Sequence, residues 1–375
     1  LNAFFIPLPL LAAWLLPSAW GWCCSLIAKR GSTNKAALGT ALKRLLTLDF
    51  RIAFPPLPRA FLWMPPVGLI MLFSLWPRLW YEPIHAFGTY VGFHVKHVHY
   101  LQQYFGMILS APPFPMDFPW FMTLLTVPVP ILMLGLLGLW RLLGPDSKDI
   151  SGELKVLLVA NLLFPIVLIS LPSTPIFGGV KHWMASLAFF TVLGGLGFQW
   201  ILTGLQGMAR LPKAVVSALI LTIMLSSSAY AAMKYRNHGT SYYNEFAGGL
   251  RGAADLRMHR QFWGYSSRMA FDWLNAKAPR NATIAFHNTT YDSFYWYQRD
   301  GLLRDDLRWR RDPTTRCKDN DFFVFHHQES FAQERLEAAR KLGTDTPAAV
   351  FSVDDVPVIS IFQCNVPGQP TTHHR

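Results

Sequence analysis

The sequence predicts a polytopic α-helical membrane protein of about six spans that ends in a small soluble α/β domain. Three observations predict it. Charge is sparse and unevenly placed: the chain is 15% charged and 51% hydrophobic, whereas soluble domains carry about 25% charged residues. Residues 1–233 hold 15 of the 34 Lys+Arg and 6 of the 22 Asp+Glu, so the two parts of the chain suit different solvents. Six segments in the first part are long and apolar enough to be spans. Beyond residue 234, short β-prone runs alternate with amphipathic stretches, the pattern of an α/β fold.

The six segments are 2–27, 60–79, 118–140, 156–171, 183–205 and 214–233. Prolines inside them (Pro65, Pro66, Pro128, Pro130 and Pro165) are tolerated where neighbours satisfy the freed carbonyls. The loops at 28–59, 141–155 and 207–213 together carry 12 basic residues, and the opposite loops carry Arg78, Lys96 and Lys181. The positive-inside rule then places the first set in the cytoplasm, and loops 80–118 and 173–182 with the 234–375 domain on the other face. The excess of +12 lies mainly in these short loops, which is topology-setting charge and excludes a nucleic-acid groove. In the last part, 268–278 and 329–342 read as helices. Strands are expected at 282–287, 321–327, 348–353 and 357–363, with a helix and loop at 291–309.

The chain opens on Leu1 with no charged leader region, which reads as a fragment of a longer protein. Cys23 and Cys24 lie in an apolar segment as small hydrophobes. Cys317 and Cys364 lie in the soluble part and are able to pair if it is exported.

The polar loop after the second segment, WYEPIHAFGTYVGFHVKHVHYLQQYFG, holds four histidines. His94, His97 and His99 have spacings that suit a divalent metal or acid–base work, or else hydrogen bonding to backbone and headgroups. No cysteine or carboxylate completes a ligand set. Glu82, among aromatics where a span ends, is either a base or a solvated loop residue. In TPIFGGVKHWM, Gly178 and Gly179 permit close backbone approach. Lys181 and His182 follow at the lip of a span, where a cation meets a lipid phosphate or anchors the interface. Arg78 has the same two readings. EFAGGLRGAAD at 245–255 lacks a phosphate-loop pattern and reads as a tight connection. Sequons stand at Asn281 and Asn288. Nucleophile-elbow, dinucleotide-binding and H-E-x-x-H patterns are missing.

Four stretches in order, VHYLQQYFGMILSAPPFPMDFPWFMTLLTVPVP, GGVKHWMASLAFF, SYYNEFAGGLRGAAD and FDWLNAKAPRNATI, resemble the C-terminal half of bacterial family 39 membrane glycosyltransferases. These are GT-C enzymes related to protein O-mannosyltransferases and aminoarabinose transferases. The resemblance implies transfer of a sugar from a polyprenyl-phosphate donor to a glycan, lipid or protein acceptor on the periplasmic side of a bacterial inner membrane. It also implies a catalytic carboxylate in an outer loop, expected upstream of Leu1; inside this chain the candidate is Glu82, read from its own setting and not carried over from the family. Lys181 and His182 fall where the family presents basic residues to the lipid phosphate. Arg78 is a third candidate for the lipid phosphate, and His94, His97, His99 and Tyr100 are further loop candidates.

Two other classes fit the same spans. A transporter or flippase for a lipid-linked or polar solute would place ionisable groups near the midplane; these segments contain Asn161 and Gln199 but almost no charge. A non-catalytic membrane assembly protein would use a surface such as YDSFYWYQRD.

Overall fold

The computed structural model describes residues 8–16, 57–95, 99–144, 147, 149–206, 212–310 and 321–364, with the side chains of 94 and 95 excepted. His97, Cys23, Cys24, Cys317, the basic stretch up to residue 56 and the tail after 364 lie outside them. The chain divides into two compact units.

The first unit comprises Leu1–Val98, Leu134–Ile169 and Trp183–Trp200. Its helices include α1 (Arg59–Leu75) and α2 (Pro83–Val95), most of α4 (Val129–Leu143), α5 (Gly152–Ile169) and the first part of α6 (Met184–Gln206). Helices α4 and α6 meet through glycine. A Cβ on Gly138 would stand 1.7 Å from the Leu193 carbonyl oxygen, and one on Gly197 would stand 2.3 Å from that of Leu134. Small residues that let two backbones touch are what holds apolar helices together where lipid removes the hydrophobic drive.

Among the described residues three helical segments are long and apolar enough to cross a membrane: Gly152–Ile169, Gly179–Leu205 and Lys213–Lys234. The number rises to four if a bent pair counts as one span. About six spans is therefore not supported among the described residues, where two of the expected segments are broken and a third is only partly described. Segment 60–79 forms only the 17 residues of α1, because the chain leaves the helix at Trp76 before Pro77. Segment 118–140 is two helices, α3 (Phe118–Thr126) and α4, bent by 119° around Pro128 and Pro130. Segment 2–27 is described only at 8–16, which is helical.

The second unit comprises His99–Met133, Ser170–His182 and Ile201–Arg375. It gathers α3, the apolar helix α7 (Lys213–Lys234) and the C-terminal α/β fold with the residues of two polar loops. Five strands form the sheet: β3 (Thr283–Phe286), β4 (Arg308–Arg310), β5 (Asp321–His326), β6 (Ala349–Val353) and β7 (Val356–Gln363). Their order is β4-β3-β5-β7-β6, parallel between β4, β3 and β5 and antiparallel from β5 through β7 to β6. All six residues of β5, DFFVFH, are buried, as a central strand covered on both faces requires. Phe323, Phe325 and Phe362 pack there with Ala338 and Leu342 of α11 (Ala332–Leu342).

The four strands expected from the sequence are present. The fifth, β4, replaces part of the expected loop between them. Helix α10 (Tyr291–Arg299) starts after Thr290, whose side-chain oxygen accepts from the Ser293 N–H as an N-cap does. Cys364 is disulfide-bonded.

Candidate functional site

A hairpin supplies one wall of the site. Strands β1 (Gln102–Tyr104) and β2 (Met107–Leu109) pair antiparallel across Phe105 and Gly106, both at positive φ (43° and 78°), the conformation of a tight hairpin turn. The Gln103 side chain ties this hairpin to distant residues of the same unit. Its Nε2 donates to the Arg257 carbonyl and to Glu329 Oε2, each at 3.0 Å, and its Oε1 accepts from Gln328 Nε2 at 2.6 Å. Its backbone N–H donates to His259 Nδ1 at 3.2 Å. His259 is therefore neutral with its other nitrogen protonated, and burial pushes it down to about 4. Tyr104 donates to Asp117 Oδ2 at 2.9 Å; burial and that carboxylate push its hydroxyl well above the ordinary tyrosine range.

The second unit also holds the bend that ends α3. Pro128 cannot donate to the Leu124 carbonyl. Asn244 takes its place: Nδ2 donates to the Leu124 carbonyl at 2.7 Å and to that of Val127 at 2.6 Å, and its backbone N–H donates to Leu125 at 2.8 Å. Nothing in the sequence pattern singles out Asn244, which is 1% exposed. The glycines after it are structural. Gly248 and Gly249 are at positive φ (77° and 67°), and a Cβ on Gly252 would meet the Ala247 carbonyl at 2.0 Å. A turn at 245–248 leads into a short helix, Gly249–Asp255, so only the start of the stretch expected as a tight connection is one.

Phe177, buried at 6% exposure, is the hub of the site. His182 lies against its ring at 4.5 Å between centroids, Tyr100 at 4.9 Å and Trp263 at 5.7 Å. The Lys181 ammonium sits 4.1 Å from the Trp263 ring centre and 5.1 Å from that of Phe177, a cation held against two aromatic faces. No carboxylate pairs with Lys181 among the described residues.

Gly178 and Gly179 are at φ 69° and 64°, and they admit a close approach as their sequence implies. The approaching groups are rings. A Cβ on Gly178 would fall 2.4 Å from Trp263, and one on Gly179 would fall 3.3 Å from Phe262. Trp263 itself adopts φ 67°, a conformation rare for a bulky residue and one that concentrates at functional sites.

Of the residues expected to act, the structure brings Lys181, His182 and Tyr100 together around Phe177. His99 lies one residue before Tyr100, half-buried, its ring edge-on to Phe114 at 5.3 Å. Arg78, Glu82 and His94 belong to the first unit. Arg78 is exposed in a short 3-10 turn. Glu82 is exposed ahead of α2, its carbonyl accepting the Ala86 N–H at 2.8 Å, which is the hydrogen bonding of a helix start. His94 lies in α2. Among the described residues no three His, Cys, Asp or Glu stand together as a metal site requires.

The sequence reading missed Trp263, Phe262 and His259. The local signal for Phe262 and Trp263 is the aromatic pair beside glycine in QFWGY, and His259 has none. They line, with Phe177 and Tyr100, a cavity of about 810 Å³, within the range of small-molecule sites (roughly 300–1,000 Å³).

The fold and the cavity define a class: an apolar helical protein, compatible with a membrane, whose polar loops are built into a small α/β domain. Comparison with protein-family models, with curated proteins and with solved structures gives no match.

Proposed function

We propose that the chain is part of a membrane glycosyltransferase that takes its sugar from a polyprenyl-phosphate donor on the non-cytoplasmic face, as the family 39 resemblance implies. One observation carries the reading. Lys181 has no carboxylate partner among the described residues and is held by Phe177 and Trp263 where the apolar segment Gly179–Leu205 begins. A phosphate on a prenyl chain has that combination of needs: a cation for the headgroup and an apolar surface for the tail. His182, next in sequence and against the same Phe177 ring, adds a second nitrogen base to the corner. Departure of the lipid phosphate leaves negative charge on its oxygens, which a fixed cation stabilises more than the ground state.

The test is capture of a photoactivatable polyprenyl phosphate by the chain in nanodiscs. A charge-assisted hydrogen bond contributes about 1.5–3 kcal/mol, so Lys181→Ala should weaken capture by about ten- to a hundred-fold. Lys181→Arg should retain part of it, since charge survives while geometry changes. Native-like capture by Lys181→Ala ends the reading.

A further inference from the structure

We infer that the 810 Å³ cavity of the second unit is a binding site for a neutral saccharide, the glycan end of an acceptor. The inference rests on the reading above only for the sugar's role as acceptor; the ligand class is argued from the wall.

The wall carries no formal charge. None of its sixteen residues is Asp, Glu, Lys or Arg, and eight are Phe, Tyr or Trp; His259, also on the wall, is neutral. Neither an anion nor a cation finds a counter-charge on the wall itself. An aliphatic chain fits no better, because the wall also holds polar groups that it would bury unsatisfied. The Asn288 amide, exposed at the cavity, has no side-chain hydrogen bond among the described residues. A sugar ring answers both features, with C–H faces for the aromatic rings and a hydroxyl edge for that amide.

The groups that would read such a ring sit at the end of β3. Tyr291 and Trp309 are in edge contact at 5.5 Å, and Tyr291 is 56% exposed, so ring surface is open. Asn288 stands at φ 56°, a left-handed position that asparagine tolerates. The backbone around it is fixed from the other side. A Cβ on Gly264 would meet the Asn288 carbonyl at 2.2 Å, and Thr289 Oγ1 is hydrogen-bonded to Ser267 Oγ at 2.7 Å. Three hydroxyl or amide residues in a row, Asn288-Thr289-Thr290, therefore line one side of a hollow half of whose residues are aromatic.

The experiment uses the whole chain in phospholipid nanodiscs, because maltoside detergents would themselves compete for a sugar site. Binding is measured to an array of neutral methyl glycosides and disaccharides, with hexose 1-phosphates and choline as charged probes. The expected result is binding of at least one neutral saccharide in preference to both charged probes. Tyr291→Ala and Asn288→Gly should weaken it by about five- to tenfold, the effect of losing one stacking surface or one hydrogen bond. Asn288→Gly keeps the left-handed backbone, so it tests the amide without disturbing the fold.

No bound neutral saccharide, preference for a charged probe, or unchanged binding in both variants overturns the inference. Polyprenyl-phosphate capture measured on the same samples separates the two proposals. Sugar binding without capture ends the donor reading alone, and capture without sugar binding ends the saccharide site alone.

Discussion

His259 shows how one buried side chain makes this fold sensitive to acid. Its imidazole accepts the Gln103 N–H and stacks on Phe262 at 4.7 Å. Burial lowers it from 6.5 to about 4. His327 is lowered to about 4 and His326 to about 3, in both cases first by burial. In the unfolded chain these rings bind protons near pH 6.5, so between about pH 6.5 and 4 the unfolded state holds more protons than the folded one. Stability is then full above pH 6.5 and is lost as pH falls toward 4. The melting temperature of the chain should drop between pH 7 and 4.5. His259→Asn, which keeps an acceptor for Gln103 but cannot be protonated there, should drop by less. Equal drops would mean that His259 does not titrate with unfolding.

Helices and strands were unequally legible. Strand β5 was readable because DFFVFH is an unbroken apolar run, which a doubly covered strand demands. Strand β4, RWR, was not: three residues with two arginines carry no β pattern, and pairing with β3 creates it. Pro128 and Pro130 were visible in the 118–140 segment, but the distant group that would answer them was not. Asn244 settles the matter by bonding the freed carbonyls, so two helices at 119° replace one span. Asn244→Ala should therefore cost about 1–3 kcal/mol through two buried acceptors left unpaired. It would appear as a lower melting temperature with protease cleavage appearing near residues 127–130. An unaltered melt and digest would mean that the bend needs no bridging side chain. The site divides the same way. Lys181 and His182 follow glycine at the lip of an apolar run and were readable locally; Trp263 and Asn288 reach the cavity only through tertiary contact.

At the scale of the whole molecule, the proposal that the α/β domain lies outside the cytoplasm rests on two features. The loop count of 12 basic residues against three is one. The disulfide at Cys364, at the edge of the domain's core, is the other, since such bonds persist in oxidising compartments. Ser352 is exposed on β6. Ser352→Cys in intact cells should react with a membrane-impermeant maleimide added outside, and reduction should change the mobility of the native chain in a non-reducing gel. Labelling of that cysteine only from the cytoplasmic side would invert the topology.

The Gln103 tie also sets an order of assembly during synthesis. Its partners Arg257, Gln328 and Glu329 leave the ribosome long after it does. Until they arrive, a hairpin of five apolar or aromatic residues in eight, Gln102 to Leu109, waits with open strand edges. Contacts so distant in sequence close slowly, and exposed edges in the interval invite misassociation. A chain terminated before Gln328 would thus present its quality-control machinery with an unfinished wall, however complete its apolar helices.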